Sequence, residues 1–456
     1  MIDQVMAYID EHRDEFTARL LEFLRIKSIS TDATCKDETR QGAEWVRTQF
    51  ERCGIGCDIV PTPRHPCVLA DSGSGSNGTT VLLYGHYDVQ PIIDLSLWKS
   101  PPFEPEIRDG RVFARGSADD KGQVLTHMLA AEAWMKVAQR LPVRVKYLIE
   151  GEEEIGSPNL ADLIREESDR LACDYIVISD TAKLDENTPA ITYGTKGLVY
   201  KEITVTGPAN DVHSGSFGGT IGNPGNALCK IITSLKDSRN RVTIPGFYKD
   251  VRKPAPDERQ RLSRLKFNEK RYAKSLGVPA LEGEAGYSTI ERRWVRPTLD
   301  VNGLFGGYQG PGSSTIIPAK VAAKVSMRLV PDQDPEKISN AFDKAVLAAA
   351  PKSVRVQIQT HGTNCSAYVA PTDTDGMRAA LLAVQKGFNK RPVLIREGGT
   401  LPILPMFKKV LGADSIMMGF CLPNCNAHGP NEFFDVSDFH AGIRSAAYFL
   451  HELASR

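Results

Sequence analysis

The chain has 456 residues, of which 56 are lysine or arginine, 56 are aspartate or glutamate and 41% are hydrophobic. This length predicts about two or three domains with a sizeable core, and the balanced charge argues against nucleic acid or a membrane surface as a partner. No apolar run reaches the roughly 18 residues that a membrane-spanning helix needs. The acidic N-terminus also lacks the basic start and apolar region of a signal peptide. Nine scattered cysteines favour free thiols in a reducing cytoplasm over a disulfide framework.

Short apolar runs separated by helical patterns predict an α/β domain. Residues 1–26 carry apolar side chains at helical spacing, residues 73–78 are predicted as a turn, and residues 119–138 are predicted as a helix. Four further runs are short and rich in Val, Ile, Leu and Met, which is typical of buried, mostly parallel strands. They lie at residues 80–84, 145–149, 175–178 and 415–420.

Near residue 196 the pattern changes to strands that alternate apolar and polar residues, between helices with capping signals. The alternating stretches are 199–206, 319–330 and 353–359, and the helices are 222–235 and 334–346. Residues 249–293 are highly charged and are predicted as surface loops and a helix. These patterns predict a layer of helices on an antiparallel sheet at residues 196–365. This segment is inserted into an α/β domain made of residues 1–195 and 366–456.

Histidines and carboxylates follow the predicted strands at their carboxyl ends, where ligands gather in open α/β sheets. In chain order they are His86, Asp88, Asp119, Asp120, Glu152, Glu153, Glu154, Asp180 and, near the C-terminus, His428. Alone, the aspartate pair would indicate a helix cap and the three glutamates a solvated acidic turn. Three adjacent carboxylates repel one another, however, and a pair of dications would relieve that repulsion. One imidazole from each end of the chain, with carboxylates between, is the ligand set of a two-metal hydrolytic centre.

The chemistry of a two-metal centre indicates which roles these side chains would have. One carboxylate bridges the two metals with its two oxygens, and each metal also takes one histidine and one further carboxylate. Another carboxylate remains free to accept a proton from the attacking water and to deliver it to the leaving amine. Asp88 can hold the second imidazole nitrogen of His86, because the two side chains point the same way from a strand end. The ligands are then His86, Asp119, one glutamate of 152–154, Asp180 and His428, with another glutamate as the base.

Cysteines near the C-terminus allow another interpretation of His428. Cys421-Leu-Pro-Asn-Cys425-Asn-Ala-His428 could form a structural zinc site. Its spacing is not a common zinc-finger spacing, and no second cysteine or histidine pair accompanies it. Cys421 and Cys425 are therefore also interpreted as a strand-end thiol and a loop thiol.

Nine motifs carry a family resemblance that is specific when they are taken together. They are YGHYDVQP (84–91), WKSPPF (98–103), RGSADDKG (115–122), EGEEEIGS (150–157), ISD (178–180), VHSG (212–215), SMRLVP (326–331), REGG (396–399) and AH (427–428). In these motifs the chain resembles the di-zinc metallopeptidases that include cytosolic nonspecific dipeptidase and carnosinase. Aminoacylase, acetylornithine deacetylase, succinyl-diaminopimelate desuccinylase and glutamate carboxypeptidase are its wider relatives.

The resemblance implies individual roles in the centre. His86 and Asp180 would bind one metal, Glu154 and His428 the other, and Asp119 would bridge them. Glu153 would be the general base and Asp88 the partner of the His86 imidazole, while Glu152 could compete with its neighbours. The resemblance also implies a cis peptide bond between Asp119 and Asp120.

The resemblance also implies a mostly parallel-sheet catalytic domain with an inserted, ferredoxin-like α+β domain that serves as lid and dimerisation domain. In the inserted domain, His213 would stabilise the oxyanion in the partner subunit's site, and Arg328 would bind the substrate's terminal carboxylate. Thr315 and Thr400 would help to hold the substrate.

The expected function is hydrolysis of the amide bond of dipeptides or short peptides with a free carboxyl end, through a water that lies between the metals. We expect a cytoplasmic homodimer with two Zn²⁺ per subunit, although the ligands also suit Mn²⁺ and Co²⁺. The alternative is an N-acyl-amino-acid deacylase or glutamate carboxypeptidase on the same scaffold. Asp180 favours a dipeptidase, because those relatives commonly have glutamate there. A metal-binding protein without catalysis is a remote alternative, since neither the base nor any ligand is missing.

Overall fold

The computed structural model describes residues 1–75, 78–265 and 267–456, so Ser76 and Asn77 of the predicted turn lie outside the described residues. The chain forms two compact units. The first contains Met1–Tyr193, Ala370–Ile395 and Met406–Arg456, and the second contains Gly194–Val369 and Arg396–Pro405. The predicted insertion at 196–365 falls in the second unit, and its role as a lid and dimerisation domain stays a prediction. None of the helices in the described ranges is long and apolar enough to cross a membrane.

The strands are labelled in chain order. They are β1 (Gly56–Val60), β2 (Cys67–Asp71), β3 (Thr80–His86), β4 (Glu106–Arg108), β5 (Arg111–Phe113), β6 (Arg144–Glu150), β7 (Tyr175–Ile178), β8 (Ala190–Thr195), β9 (Gly197–Thr206), β10 (Val212–His213), β11 (Thr298–Gly306), β12 (Ile316–Ile317), β13 (Lys320–Leu329), β14 (Arg355–Thr360), β15 (Tyr368–Val369), β16 (Val393–Arg396), β17 (Asp414–Met417) and β18 (Phe433–Asp435).

The α-helices are labelled in the same way. They are α1 (Ile2–Glu11), α2 (Arg13–Leu24), α3 (Lys36–Arg52), α4 (Lys121–Ala138), α5 (Leu160–Glu166), α6 (Ser168–Leu171), α7 (Ser214–Phe217), α8 (Pro224–Ser234), α9 (Pro256–Arg264), α10 (Glu269–Ser275), α11 (Thr289–Trp294), α12 (Pro335–Ala349), α13 (Asp375–Phe388), α14 (Ile403–Leu411) and α15 (Val436–Ala454).

The main sheet of the first unit is mixed, with strand order β1-β2-β6-β3-β7-β17-β8. Its centre is parallel, because β6, β3, β7 and β17 run in one direction. Three of the predicted apolar runs lie within β3, β6 and β7, whereas β17 ends at Met417 and contains only the first half of the run at 415–420. The sheet is not parallel throughout, because β1, β2 and β8 pair antiparallel with their neighbours. Since parallel strands end at one edge of a sheet, His86 at the end of β3 lies beside Glu150 at the end of β6.

Two helical predictions in the first unit differ from the structure in detail. The apolar pattern at 1–26 is split at His12, whose backbone (φ −98°, ψ 18°) ends α1 before α2 begins. The helix predicted from residue 119 starts at Lys121, and almost all of its residues as far as Trp134 are buried. A helix buried on nearly all sides has only a weak amphipathic pattern, so its start is hard to find from sequence.

The second unit contains an antiparallel sheet with strand order β11-β13-β9-β14 and a core between this sheet and two helices, α8 and α12. Along β9 every second residue is buried, as the alternating sequence predicted. Asn223 and Asp334 accept backbone hydrogen bonds at the starts of α8 and α12, each of which has proline in its first turn.

The charged stretch at 249–293 contains more helix than predicted. It forms α9 and α10 and reaches into α11, where the prediction allowed one helix. These helices are short and have local start signals, including Pro256 in the first turn of α9 and a capping box between Ser288 and Glu291. Short helices of this kind do not produce a long apolar period, so the sequence pattern did not separate them.

Candidate active site

A single carboxylate faces both predicted histidine ligands in the first unit. Asp119 Oδ1 lies 3.1 Å from His86 Nε2, and Asp119 Oδ2 lies 2.9 Å from His428 Nε2. Two groups of side chains could each hold a metal ion, and both include Asp119: His86, Asp119 and Asp180 in one, and Asp119, Glu154 and His428 in the other. The arrangement therefore brings together the five residues predicted as ligands, with Asp119 common to both groups.

The cluster is electrostatically unfavourable without cations. Burial, together with repulsion from Asp119, raises the pKa of Glu154 to about 10 and that of Asp180 to about 6. His86 Nε2 is buried and lacks a hydrogen-bond partner among the described residues, although Asp119 Oδ1 is near. Imidazole nitrogens and carboxylate oxygens are ligands of zinc, manganese and cobalt, so the donor set fits divalent cations.

Asp88 orients the first histidine and the glutamate turn together. His86 Nδ1 lies 3.1 Å from the backbone carbonyl oxygen of Asp88 and 3.4 Å from its Oδ1. The Asp88 carboxylate accepts hydrogen bonds from the backbone N–H groups of Glu153 (3.2 Å) and Glu154 (3.1 Å). The side chain is fully buried. These two oxygens of Asp88, the carbonyl oxygen and Oδ1, face the outer imidazole nitrogen, which leaves Nε2 available as a ligand atom and fixes the orientation of the ring.

The three adjacent glutamates have different surroundings. Glu152 accepts hydrogen bonds from the Thr62 hydroxyl, from the backbone N–H of His65 (2.8 Å) and from Asn159 Nδ2 (2.7 Å), so its oxygens are already occupied. Glu154 Oε2 points to His428 Nε2 at 3.4 Å. Glu153 begins a short 3₁₀ turn and belongs to neither metal group. These contacts support the predicted assignment, with Glu154 as ligand and Glu153 as base.

Burial also affects the glutamate predicted as the base. It raises the pKa of Glu153 to about 8, a shift that the nearby His86 partly opposes and that Asp180 and Asp119 reinforce. This value describes the site without cations; bound cations would favour the carboxylate form, which is the form that accepts a proton. The peptide bond between Asp119 and Asp120 is cis, as predicted.

Sequence reasoning missed the ion pair between Arg115 and Glu432. Both residues are buried, with Arg115 Nη1 2.6 Å from Glu432 Oε2. Glu432 also accepts hydrogen bonds from three backbone N–H groups, including that of Asp119 (3.1 Å), while Arg115 Nη2 donates to the His428 carbonyl oxygen (3.1 Å). The pair thus joins the Asp119 loop to the His428 loop. The RGSADDKG motif contains Arg115, but no sequence signal linked it to Glu432.

The backbone of His428 is itself unusual. His428 has φ +61°, in the left-handed region that residues other than glycine rarely adopt. Its imidazole is about half exposed, in contrast to the fully buried His86. The carbonyl contact from Arg115 is part of what holds this conformation, and an unfavourable backbone of this kind is often found at functional sites.

The predicted substrate residues lie in the second unit. Arg328, on β13, donates from Nη1 to Thr400 Oγ1 at 2.6 Å, so these two are brought together. His213 is exposed at the end of β10, and its Nδ1 accepts from the backbone N–H groups of Gly215 (3.0 Å) and Ser216 (3.2 Å). Thr315 is exposed, and its carbonyl oxygen accepts from the Ser214 N–H. Because Nδ1 is an acceptor, the neutral His213 ring carries its proton on Nε2, which suits the predicted role as a donor.

The structural zinc site considered for Cys421 and Cys425 is not supported. Their sulfur atoms are 4.0 Å apart, and Cys421 Sγ donates to the Thr181 carbonyl oxygen at 3.3 Å. Neither metal group that the described residues form includes a cysteine. All nine cysteines of the chain are free thiols.

Comparison with known proteins identifies the family. The chain is 32% identical to Cys-Gly metallodipeptidase dug1 of Schizosaccharomyces pombe, over all of this chain and 98% of that protein. It is 30% identical to Beta-Ala-His dipeptidase of Homo sapiens, over all of this chain and 93% of that protein.

Solved structures agree with these matches. The M20 family metallo-carboxypeptidase Sso-CP2 from Sulfolobus solfataricus superposes with a TM-score of 0.87 at 33% identity, over 97% of this chain and all of that one. Human carnosine dipeptidase 1 superposes with a TM-score of 0.86 at 30% identity, over all of this chain and 99% of that one. A sequence profile of peptidase family M20/M25/M40 matches residues 82–452. The chain therefore belongs to peptidase family M20/M25/M40, and it is a metallopeptidase.

Proposed function

We propose that the protein hydrolyses the amide bond of dipeptides or short peptides with a free C-terminal carboxylate, using two divalent cations. The observation that carries this proposal is the Asp119 carboxylate, whose two oxygens lie 3.1 Å from His86 Nε2 and 2.9 Å from His428 Nε2. Two relatives are named for dipeptide hydrolysis, as Cys-Gly metallodipeptidase and Beta-Ala-His dipeptidase, and this supports the substrate class.

The residues proposed to hold the metals are the two groups that share Asp119. His86 and Asp180 would bind one cation, Glu154 and His428 the other, and Asp119 would bind both. We take the cations to be zinc, with manganese or cobalt as the other candidates for these ligands. When bound, such cations polarise a carbonyl group and lower the pKa of water, which are the two effects that amide hydrolysis needs.

Proton transfer is proposed for Glu153. Its carboxylate accepts a proton from the attacking water and then delivers that proton to the nitrogen of the leaving amine. Asp88 positions this group, because its carboxylate accepts the backbone N–H of Glu153 while it also faces His86 Nδ1. Asp88 is thus a positioning residue whose single side chain orients both the base and a ligand.

Substrate binding is proposed for residues of the second unit. Arg328 binds the terminal carboxylate with its planar guanidinium group, which the Thr400 hydroxyl holds through a 2.6 Å hydrogen bond. Thr315 helps to hold the substrate. His213 donates from Nε2 to the oxyanion that forms on the attacked carbonyl.

The role of His213 includes a proposal about assembly. Residues 196–365 would form a ferredoxin-like lid and dimerisation domain, and His213 would act in the partner subunit's site of a homodimer. The antiparallel sheet of the second unit, covered by α8 and α12, is compatible with this. We further propose that the enzyme works in a reducing cytoplasm, which agrees with its nine free thiols.

The proposed function is tested by metal analysis of the purified protein coupled to an activity panel. The panel compares dipeptides with N-acetyl and N-succinyl amino acids that have the same C-terminal residue. We expect bound divalent metal and hydrolysis of the dipeptides, with a chelator abolishing turnover. Faster hydrolysis of the acyl amino acids would instead support a deacylase, and metal binding without turnover of any amide would contradict an enzyme.

A further inference from the structure

A cationic pocket lies entirely within the second unit, next to Arg328. Its volume is about 640 Å³, and its wall includes the end of α11 and the start of β11. The cationic lining residues are Lys196, Lys236, Arg292, Arg293, Arg296 and Arg328, against the acidic Glu282, Glu284 and Asp300. The pocket thus has more positive than negative side chains.

The carboxylates of the pocket wall already have partners away from Lys196 and Arg328. Glu284 binds Arg296 through two hydrogen bonds of 2.8 Å, and both side chains are buried. Asp300 lies 3.8 Å from Lys236. Lys196 and Arg328 make no ion pair with any of the residues that the structure describes. The charge of Asp300 acts on both cations, but neither has a directly paired carboxylate.

Lys196 is the more unusual of these two cations. It is only 2% exposed, and its Nζ donates one hydrogen bond, to the Arg292 carbonyl oxygen at 3.0 Å. Burial, together with the positive charge of Arg328, lowers the pKa of Lys196 to about 7. An ammonium group has three N–H donors, so Lys196 can also bind an anion, which would offset the penalty of burying its charge.

We propose that this pocket receives the side chain of the substrate's C-terminal residue and selects an acidic one. Lys196 binds the side-chain carboxylate while Arg328 binds the terminal carboxylate, so the preferred substrates are peptides that end in aspartate or glutamate. Leu281 and Leu299 also line the pocket and contact the methylene groups of such a side chain. The inference rests on the proposed function, because that function assigns the terminal carboxylate to Arg328.

The first test compares dipeptides of equal shape and different charge on the native enzyme. We expect kcat/KM for Ala-Glu to exceed that for Ala-Gln at least about tenfold, because a buried cation discriminates strongly between a charged and a neutral partner. Ala-Asp and Ala-Asn should differ in the same direction. Equal kcat/KM values within each pair, or higher values for Ala-Gln and Ala-Asn, would overturn the inference.

The second test changes the pocket. Lys196→Met keeps the length of the side chain and removes the charge, and it should bring the Ala-Glu to Ala-Gln ratio close to one, whereas Lys196→Arg should retain the preference. The matched control is Lys201→Met, since Lys201 is equally buried but pairs with Asp343 outside the pocket. This control should leave the ratio unchanged. A Lys196→Met enzyme with the native ratio would contradict the role of Lys196.

Binding measurements keep the inference separate from the proposed function and do not depend on turnover. In calorimetry, the native protein should bind L-glutamate more tightly than L-glutamine, and Lys196→Met should remove the difference. If no dipeptide is hydrolysed but this difference is present, the proposed function fails and the pocket assignment stands. If dipeptides are hydrolysed but glutamate and glutamine bind alike, the pocket assignment fails alone. Glutamate binding that Arg328→Met does not weaken would show a separate anion site and would also overturn the inference.

Discussion

The metal cluster of the first unit and the pocket of the second unit carry excess charge of opposite sign. Around Asp119, buried carboxylates have raised pKa values because burial and mutual repulsion disfavour their charged forms. In the pocket of the second unit, burial and the nearby positive charge of Arg328 disfavour the charged form of Lys196 and so lower its pKa. Each region is therefore unfavourable by itself and would be stabilised by ligands of the opposite charge. Unsatisfied buried charge therefore marks both the proposed metal site and the proposed specificity pocket.

The largest expected effect comes from the proposed base. Glu153→Gln removes the proton acceptor but not a metal ligand, so turnover of a dipeptide should fall by about 10²–10⁴-fold. Metal content, measured by mass spectrometry, should stay at the native level. Glu152→Gln is the matched control and should retain most of the activity, because Glu152 is occupied by Thr62, His65 and Asn159. Near-native turnover in Glu153→Gln would show that another group is the base.

The next effect concerns the proposed oxyanion donor. His213→Ala should lower kcat by about 10²–10³-fold, the range measured when one such donor is removed. Metal content should not change, since His213 lies outside both metal groups. Sedimentation should show a homodimer for the native protein and the variant. A fully active native monomer would contradict action across subunits.

A smaller effect is expected from the buried pair that joins the two loops. Glu432→Gln should weaken metal affinity by about 10–100-fold, because the partners of ligand-bearing segments typically have effects of this size. Glu284→Gln is the control, since Glu284 is also buried and paired with an arginine but belongs to the second unit. It should leave metal affinity unchanged. Equal affinities in both variants would mean that the Arg115–Glu432 pair does not position the ligands.

The smallest effect concerns the pH dependence of stability in the metal-free protein. Glu150 and Glu153 have pKa values raised to about 8, each chiefly by burial, so the folded state holds protons that the unfolded state releases. The free energy of unfolding should therefore fall as pH rises from the ordinary glutamate value of 4.5 through about 8. Asp119, whose pKa is lowered, acts in the opposite direction only below 3.8. Burial lowers the pKa of His127 to about 3 and that of His440 to about 4, so these two residues oppose the fall up to their ordinary value of 6.5.

This pH dependence can be measured by denaturant unfolding with and without saturating zinc. Glu153 lies beside the proposed ligands, so bound zinc should reduce its contribution to the fall in the free energy of unfolding. Zinc should also raise that free energy at every pH at which zinc binds. Stability of the metal-free protein that rises between pH 5 and pH 8 would contradict the charge excess assigned to the first unit.

Much of the metal cluster could be predicted because its residues follow short apolar strands directly. His86 and Asp180 are at or just beyond the ends of β3 and β7, so the parallel centre of the sheet brings them to one edge. The resemblance already assigned Glu154 as ligand and Glu153 as base, and the structure adds the contacts that occupy the third glutamate, Glu152. The role of Glu432 could not be predicted, because its partner Arg115 is distant in sequence. The residues next to Glu432 also do not distinguish a buried glutamate from an exposed one.

The fold shows the same division. The alternation of buried and exposed residues along β9 and the capped start of α12 were predicted correctly. Both features depend only on residues that are close together in the sequence. The break at His12 and the antiparallel edges of the main sheet were not predicted, since they depend on tertiary packing. The cationic pocket was not predicted either: Lys196 follows β8 directly, and nothing in its neighbouring sequence indicates burial beside Arg328.

Asp119 is proposed to join two histidine groups into one two-metal centre, and the number of metal ions bound per chain shows whether it does. Each protein is equilibrated with zinc and its bound metal is counted by mass spectrometry. The native protein and Glu152→Gln should hold two ions per chain, and Asp119→Ala should hold fewer than one. Two ions retained by Asp119→Ala, or none bound by the native protein, would contradict the account.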